Sequence, residues 1–186
     1  KRCALMFKHF LFCFFLILIS SVQASNKDKI LENLQNTENL NFNFEQNING
    51  KLEIGNCTIQ YPKKIFCEYK KNNKILVSNG KSLVIKTIAS FYRYPLNQTP
   101  LNLILDKNFL IKKIENLKEK KLGKTFLSFE IKEKEGEINI FFDNENFDLV
   151  GWQTKDIYQN VNVTYLSSIK KNQKVSKDLF KLPTQN

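Results

Sequence analysis

Leu40-Asn41-Phe42-Asn43-Phe44-Glu45-Gln46-Asn47-Ile48, with Asn49-Gly50 directly after it, sets the period of most of the chain. Leu40, Phe42, Phe44, Gln46 and Ile48 alternate with polar residues, a period of two that only an extended strand gathers onto one face. Asn-Gly is a two-residue hairpin signal, because both residues tolerate positive φ. Leu52 and Ile54 open the return strand. The same grammar recurs downstream. Thr58-Ile59-Gln60 and Ile65-Phe66-Cys67-Glu68-Tyr69 flank a turn at Tyr61-Pro62-Lys63-Lys64. Ile75-Leu76-Val77 and Leu83-Val84-Ile85 flank a second Asn-Gly, Asn79-Gly80. Leu127, Phe129 and Ile131, then Ile138, Ile140 and Phe142 after a Gly136 turn, then Val150 with Trp152, and Val161, Val163 with Tyr165 extend the series. Short strands joined by turns, each with one apolar face, predict a strongly curved antiparallel sheet or barrel.

Two helical segments punctuate the strands. Asn26 to Asn39 carries Ile30, Leu31 and Leu34 at helical spacing, with Asp28 and Glu32 in its early turns. Thr99-Pro100-Leu101-Asn102-Leu103-Ile104-Leu105 reads as a short helix with Thr99 as N-cap and Pro100 at its first position, Leu101, Ile104 and Leu105 sharing a face. Together the helices are expected to cover the mouth of the curved sheet as a lid over an apolar interior. The fold class is α+β, mainly β.

Upstream of all this, Lys1, Arg2 and Lys8 precede an apolar run from Phe10 to Ile19 and then Ser20-Ser21-Val22-Gln23-Ala24. This is the pattern of a secretory signal peptide, 1–24, cleaved after Ala24; the run is too short for the roughly 18 apolar residues of a membrane span. Met6 is the expected start, and Cys13, inside the apolar run without a small residue before it, is not a lipidation site. The domain is then 25–186, enough chain for one core burying roughly 70% of its unfolded surface.

Cleavage removes His9, the only histidine, so the domain has no Ser/His/Asp or Cys/His arrangement and no His for a zinc site. No catalytic residue, metal or cofactor is expected. The domain keeps 26 basic and 18 acidic residues, a net charge of +8, but Arg93 is its only arginine. Without arginine forks, nucleic acid is not an expected partner, and the lysines read as a solvated surface. A carboxylate enzyme built on two of Asp106, Glu115, Asp143, Asp148 and Asp156 is a rival, although their spacing selects no pair. A structural or peptide-binding envelope protein on the same curved sheet is another.

Cys57 and Cys67 are the remaining thiols, and in an oxidising compartment an isolated pair reads as a disulfide. A hairpin centred on Pro62 puts Cys57 opposite Cys67 and Ile59 opposite Ile65 on one face, within bridging reach.

Several segments resemble, in order, landmarks of the periplasmic outer-membrane lipoprotein carrier family, LolA. They are Phe42-Asn43-Phe44-Glu45-Gln46, Gly55-Asn56-Cys57-Thr58-Ile59-Gln60-Tyr61-Pro62, Glu68-Tyr69, Leu76-Val77-Ser78-Asn79-Gly80-Lys81-Ser82-Leu83, Thr99-Pro100-Leu101 and Leu179-Phe180-Lys181-Leu182-Pro183. The resemblance implies an incomplete, half-open antiparallel β-barrel with a helical lid. It also implies a monomeric carrier that takes triacylated lipoproteins from an inner-membrane lipoprotein-releasing ABC transporter to the outer membrane, with an acceptor lipoprotein there as a further partner. The residues nominated to line its apolar cavity are Ile59, Ile65, Tyr69, Leu83, Ile85, Leu127, Phe129, Ile138, Ile140, Phe142 and Trp152, with Leu101, Ile104 and Leu105 on the lid. One departure stands out. The family's basic residue before the hairpin proline, implied to hold the lid shut, is Tyr61 here, a single hydroxyl in place of a five-donor fork.

Overall fold

The computed structural model describes residues 24–71, 73–133, 136–155 and 160–185. The expected signal segment falls outside them, Ala24 excepted. Eleven strands form one antiparallel sheet: β1 (Asn39–Ile48), β2 (Lys51–Gln60), β3 (Lys64–Tyr69), β4 (Ile75–Asn79), β5 (Ser82–Lys86), β6 (Phe91–Pro95), β7 (Lys120–Leu122), β8 (Phe126–Glu133), β9 (Gly136–Asp143), β10 (Leu149–Lys155) and β11 (Val161–Lys171). Their order is β6-β5-β4-β3-β2-β1-β11-β10-β9-β8-β7, so every neighbour is also a neighbour in sequence except at the β1–β11 joint. β6 and β7 stay unpaired to each other, and the sheet is an open half-barrel with a mainly β, α+β composition. Asn49 and Gly50 take φ of 50° and 83° at the first hairpin, as a two-residue turn with the twist of its strands requires.

Among the described residues three α-helices accompany the sheet: α1 (Asn26–Gln35), α2 (Leu101–Ile104) and α3 (Lys107–Asn116). α1 begins with a capping box, the Ser25 hydroxyl accepting from the Asp28 N–H while the Asp28 carboxylate accepts from the Ser25 N–H. It stops at Gln35 rather than running to Asn39, because Asn39 and Leu40 already belong to β1. The α2 segment is shorter than its sequence suggests. Pro100 occupies the N-cap position, and the Thr99 hydroxyl donates back to the Leu96 carbonyl instead of capping. The chain then restarts as α3, a helix the sequence reading did not include. Asp106 caps it by accepting from the Phe109 N–H at 3.1 Å, and Leu110 and Ile114, one turn apart, are fully buried.

α1 and α3 run antiparallel, each closing the other's end. Lys107 Nζ donates to the Gln35 and Thr37 carbonyls at the end of α1, and Lys27 Nζ to the Glu115 carbonyl at the end of α3. Cations belong there, where the last carbonyls lack partners and the helix dipole is negative. A Lys113–Glu133 ion pair fastens α3 to the end of β8. Ile30, Leu34, Leu110 and Ile114 join the inner faces of the sheet in one core.

Gly55 in β2 shows how tightly the concave face is filled. A Cβ there would lie 2.1 Å from the Glu68 carbonyl oxygen and 2.7 Å from the Phe44 ring. Phe44 and Tyr69 meet edge to face over it, centroids 4.9 Å apart. Gly55→Val is therefore expected to cost about 3 kcal/mol or more, since backbone as well as a ring must move. Urea unfolding measures it; a wild-type midpoint would contradict the close approach.

Candidate functional site

Between the concave face and α2 lies a cleft of about 240 Å³. Its walls come from β1 (Phe44, Gln46, Ile48), β2 and β3 (Cys57, Ile65, Cys67, Tyr69), β4 and β5 (Leu76, Leu83, Ile85), and β10 and β11 (Trp152, Thr154, Asn162, Thr164), with Lys74 at the rim. Thr99, Pro100, Leu101 and Ile104 form its roof. Each wall residue follows from the period-two register: the side chains of one face of the strands converge because the sheet curls.

Ile65, Tyr69, Leu83, Ile85, Leu101, Ile104 and Trp152, nominated from sequence, come together around this cleft. Ile59, Leu105, Leu127, Phe129, Ile138, Ile140 and Phe142 do not. They are fully buried in the solid core that α1 and α3 fill. Phe44, Ile48 and Leu76 line the cleft without having been nominated. The alternation that found Phe44 and Ile48 as inward-facing was the available signal. Of the polar members, Gln46 falls on the face that the alternation of β1 already marked and Thr154 continues the face of Trp152, whereas on β11 the alternation marked Val161, Val163 and Tyr165, of which Val161 and Tyr165 are exposed, and Asn162 and Thr164 line the cleft instead.

Cys57 and Cys67 stand directly opposite each other in the β2–β3 register, form a disulfide, and line the cleft. Among the described residues no cluster of His, Cys, Asp or Glu could hold a metal. Of the carboxylates weighed as an enzyme pair, Asp106 caps α3, Asp143 accepts from the Glu145 and Asn146 N–H groups in its turn, and Asp148 pairs with Lys171 at 2.6 Å. Glu115 is exposed near the end of α3, and Asp156 lies outside the described residues.

The connection between the Tyr61-Pro62 corner and the helices differs from the expected one. The peptide bond before Pro62 is cis, and the Tyr61 hydroxyl is buried without a hydrogen-bond partner among the described residues. Instead the Lys63 N–H donates to the Leu105 carbonyl at 2.8 Å, and Lys63 Nζ pairs with Asp106 at 3.3 Å. The ion pair is partly exposed and contributes at most about 1 kcal/mol. The main-chain bond does not depend on side-chain identity. Tyr61→Phe is accordingly expected to leave apolar-dye affinity unchanged and to raise stability by up to about 1 kcal/mol, because it removes a buried hydroxyl that gains nothing. A loosened cleft, read as raised dye affinity, would restore the latch role to Tyr61.

Burial pushes the Tyr61 phenol well above its usual 10.0, and burial reinforced by the Glu53 charge does the same to Tyr69. A folded-state pKa raised above the unfolded one means stability is intact below pH about 10 and falls as pH rises beyond it, when only the unfolded chain ionises. Thermal midpoints between pH about 8 and about 11 should show that fall, diminished in Tyr61→Phe.

The described residues thus form a half-open antiparallel sheet curled over a small, largely apolar cleft that a short helix roofs. The chain belongs to the outer membrane lipoprotein carrier protein LolA family, whose model matches residues 35–183. Among solved structures it is similar to an uncharacterized conserved protein from Thermus thermophilus, with 9% identity, 86% of this chain and 95% of that one covered, and a TM-score of 0.51. It is also similar to a LolA superfamily protein from Nitrosomonas europaea, with 10% identity, coverage of 86% and 99%, and a TM-score of 0.45. A putative outer membrane lipoprotein-sorting protein domain from Vibrio parahaemolyticus gives 8% identity, coverage of 81% and 94%, and a TM-score of 0.45. No curated protein matches the sequence. Among the described residues no helix is long and apolar enough to cross a membrane.

Proposed function

We propose that the chain is a non-catalytic periplasmic carrier, exported by its amino-terminal signal, that shields the acyl chains of lipoproteins on their way from the inner to the outer membrane. It receives them from an inner-membrane lipoprotein-releasing ABC transporter and yields them at the outer membrane. The observation that supports this reading is the cleft itself, apolar on the walls from β3 to β5 and roofed by a helix of four residues, in a chain of the LolA family.

The physical need is plain. Exposing an acyl chain to water costs roughly 0.8 kcal/mol per methylene, on the order of 10 kcal/mol for one long chain. A cleft of about 240 Å³ is smaller than the roughly 300–1,000 Å³ that encloses a drug-sized ligand. It takes part of one chain as it stands, and fuller loading parts the roof at the half-buried Leu101, while Ile104, Leu105 and the Lys63–Leu105 main-chain bond keep the end of α2 on the core. The stated binding must also be weak enough to reverse at delivery, which a yielding roof provides.

Protein isolated from its native periplasm under non-denaturing conditions, then examined by mass spectrometry, tests the reading. Bound triacylated lipoprotein is the expected result. A bound unacylated peptide would favour the peptide-binding alternative, and protein that is repeatedly free of acylated cargo, even with the transporter co-expressed, would count against carriage.

A further inference from the structure

The apolar face of the cleft does not stop at its wall. Leu83 and Ile85, which line it, stand directly opposite Tyr94 and Tyr92 on β6, the outermost strand of the sheet. Residues opposite each other in an antiparallel pair share a face, so the two tyrosines carry that face out to the open edge. Their rings stack with centroids 6.5 Å apart, and Tyr92 is 52% and Tyr94 43% exposed. The turn between β5 and β6 reaches further into solvent. Ile88 in this turn is 82% exposed, more than any other large apolar side chain among the described residues. A lone exposed isoleucine needs no account. One that tips a hairpin whose tyrosines and cleft residues share a face belongs to a larger apolar surface.

The polar groups of the same hairpin fit one environment. Inside the turn the Thr87 N–H donates to the Ser90 carbonyl at 2.9 Å, while Thr87 Oγ1 accepts from the Ala89 and Ser90 N–H groups at 3.1 and 3.0 Å. With these main-chain donors engaged within the turn, the tip can leave water at little cost. Lys86 and Arg93 flank it. Their own bonds go to neutral oxygens, the Thr184 carbonyl at 2.9 Å and the Ser82 hydroxyl at 3.2 and 3.3 Å, and among the described residues neither pairs with a carboxylate. From Tyr69 to Leu105 the sequence holds six basic residues and no acidic one. In the register Glu68 is separated from Lys86 by Ile75 of β4. Lys86 stands two residues back from Ile88, and Tyr92 two beyond Ser90, roughly 7 Å along a strand. That spacing falls within the depth of about 5–10 Å that interfacial side chains reach. An apolar tip with tyrosine and cations behind it is the order of side chains across a lipid headgroup layer.

We propose that the β5–β6 hairpin docks the protein on an anionic phospholipid bilayer, Ile88 entering the upper acyl region while Lys86 and Arg93 meet the phosphates. The inference goes beyond carriage, since docking needs no cargo in the cleft. The basic charge favours a bilayer over a second copy of the chain, whose own hairpin would repel it. With the hairpin docked, the tyrosine face leads from the lipid to Leu83 and Ile85, and an acyl chain can pass along it between membrane and cleft without full exposure to water.

Cosedimentation of the full mature protein with vesicles tests this, using phosphatidylethanolamine mixed with phosphatidylglycerol and, separately, phosphatidylcholine alone. The wild type should bind the phosphatidylglycerol vesicles about tenfold more tightly than the phosphatidylcholine ones and lose most of that binding at high salt. Ile88→Ser should weaken binding about tenfold, and Lys86→Gln combined with Arg93→Gln about as much, while apolar-dye affinity stays at the wild-type level in both. Ile88→Trp should bind as the wild type does, its indole emission moving to the blue with vesicles. Wild-type protein left in the supernatant, full binding by Ile88→Ser, or equal binding to both vesicle types overturns the proposal while leaving acyl carriage standing. A wild type that ignores vesicles but forms a dimer which Ile88→Ser dissolves overturns it too, and makes the hairpin a contact between copies.

Discussion

Leu101→Asp combined with Ile85→Asp should weaken binding of an apolar dye or acyl ligand by about 100-fold. Both side chains line the cleft, one from the roof and one from β5, and both are half-buried, so a carboxylate at either place can still reach water when the cleft is empty. Each loses roughly 1.5 kcal/mol of apolar contact with the ligand, and about every 1.4 kcal/mol is tenfold in affinity. Ile104, on the same roof, is the poorer choice: it is 0% exposed, and a carboxylate there would be trapped in the core and would threaten the fold itself. Dye titration with a far-ultraviolet spectrum alongside provides the check. Parental affinity in a folded double variant would remove α2 and β5 from the binding surface.

Replacing Cys57 and Cys67 together by alanine should lower the unfolding free energy by about 3 kcal/mol. The cross-link closes a loop between residues 10 apart, and forbidding the open forms of that loop in the unfolded chain is worth about this much in the chain-entropy model. For a domain of this size the thermal midpoint should fall by roughly 10 °C. Both residues are buried, at 8% and 3% exposure, so the smaller alanine side chains also leave unfilled space, which adds to the loss. Calorimetry of the two proteins measures the difference; matching midpoints would mean that the strands hold this register equally well unlinked.

The hairpins were legible in the sequence because their instructions are local. Asn49-Gly50 names its own turn, and once Pro62 centres the next hairpin, the opposition of Cys57 to Cys67 follows from counting. The third helix escaped because Asp106, Leu110 and Ile114 carry its cap and its buried stripe within a run of lysines, directly after a segment already read as helical. The division between cleft and core was not legible at all. Leu127, Phe129 and Ile140 alternate just as Ile65 and Leu83 do, and which set faces space depends on where α1 and α3 lie against the sheet. Nor could the Tyr61 substitution reveal that a main-chain bond from Lys63 would take over the fastening, since every residue but proline carries that donor.

The single joint that departs from sequence order, β1 against β11, decides whether the sheet is one piece or two. Residues as far apart as Glu38 and Asn172, separated by 134 positions, are brought together beside it. Everything on either side is built from consecutive hairpins, and β11 is the last strand of all. Without it, β1 and β10 would each present a bare edge of unpaired main-chain groups. The continuity of the whole sheet thus hangs on one strand, and a change that loosens β11 parts the hairpins of the first half from those of the second rather than fraying an outer edge.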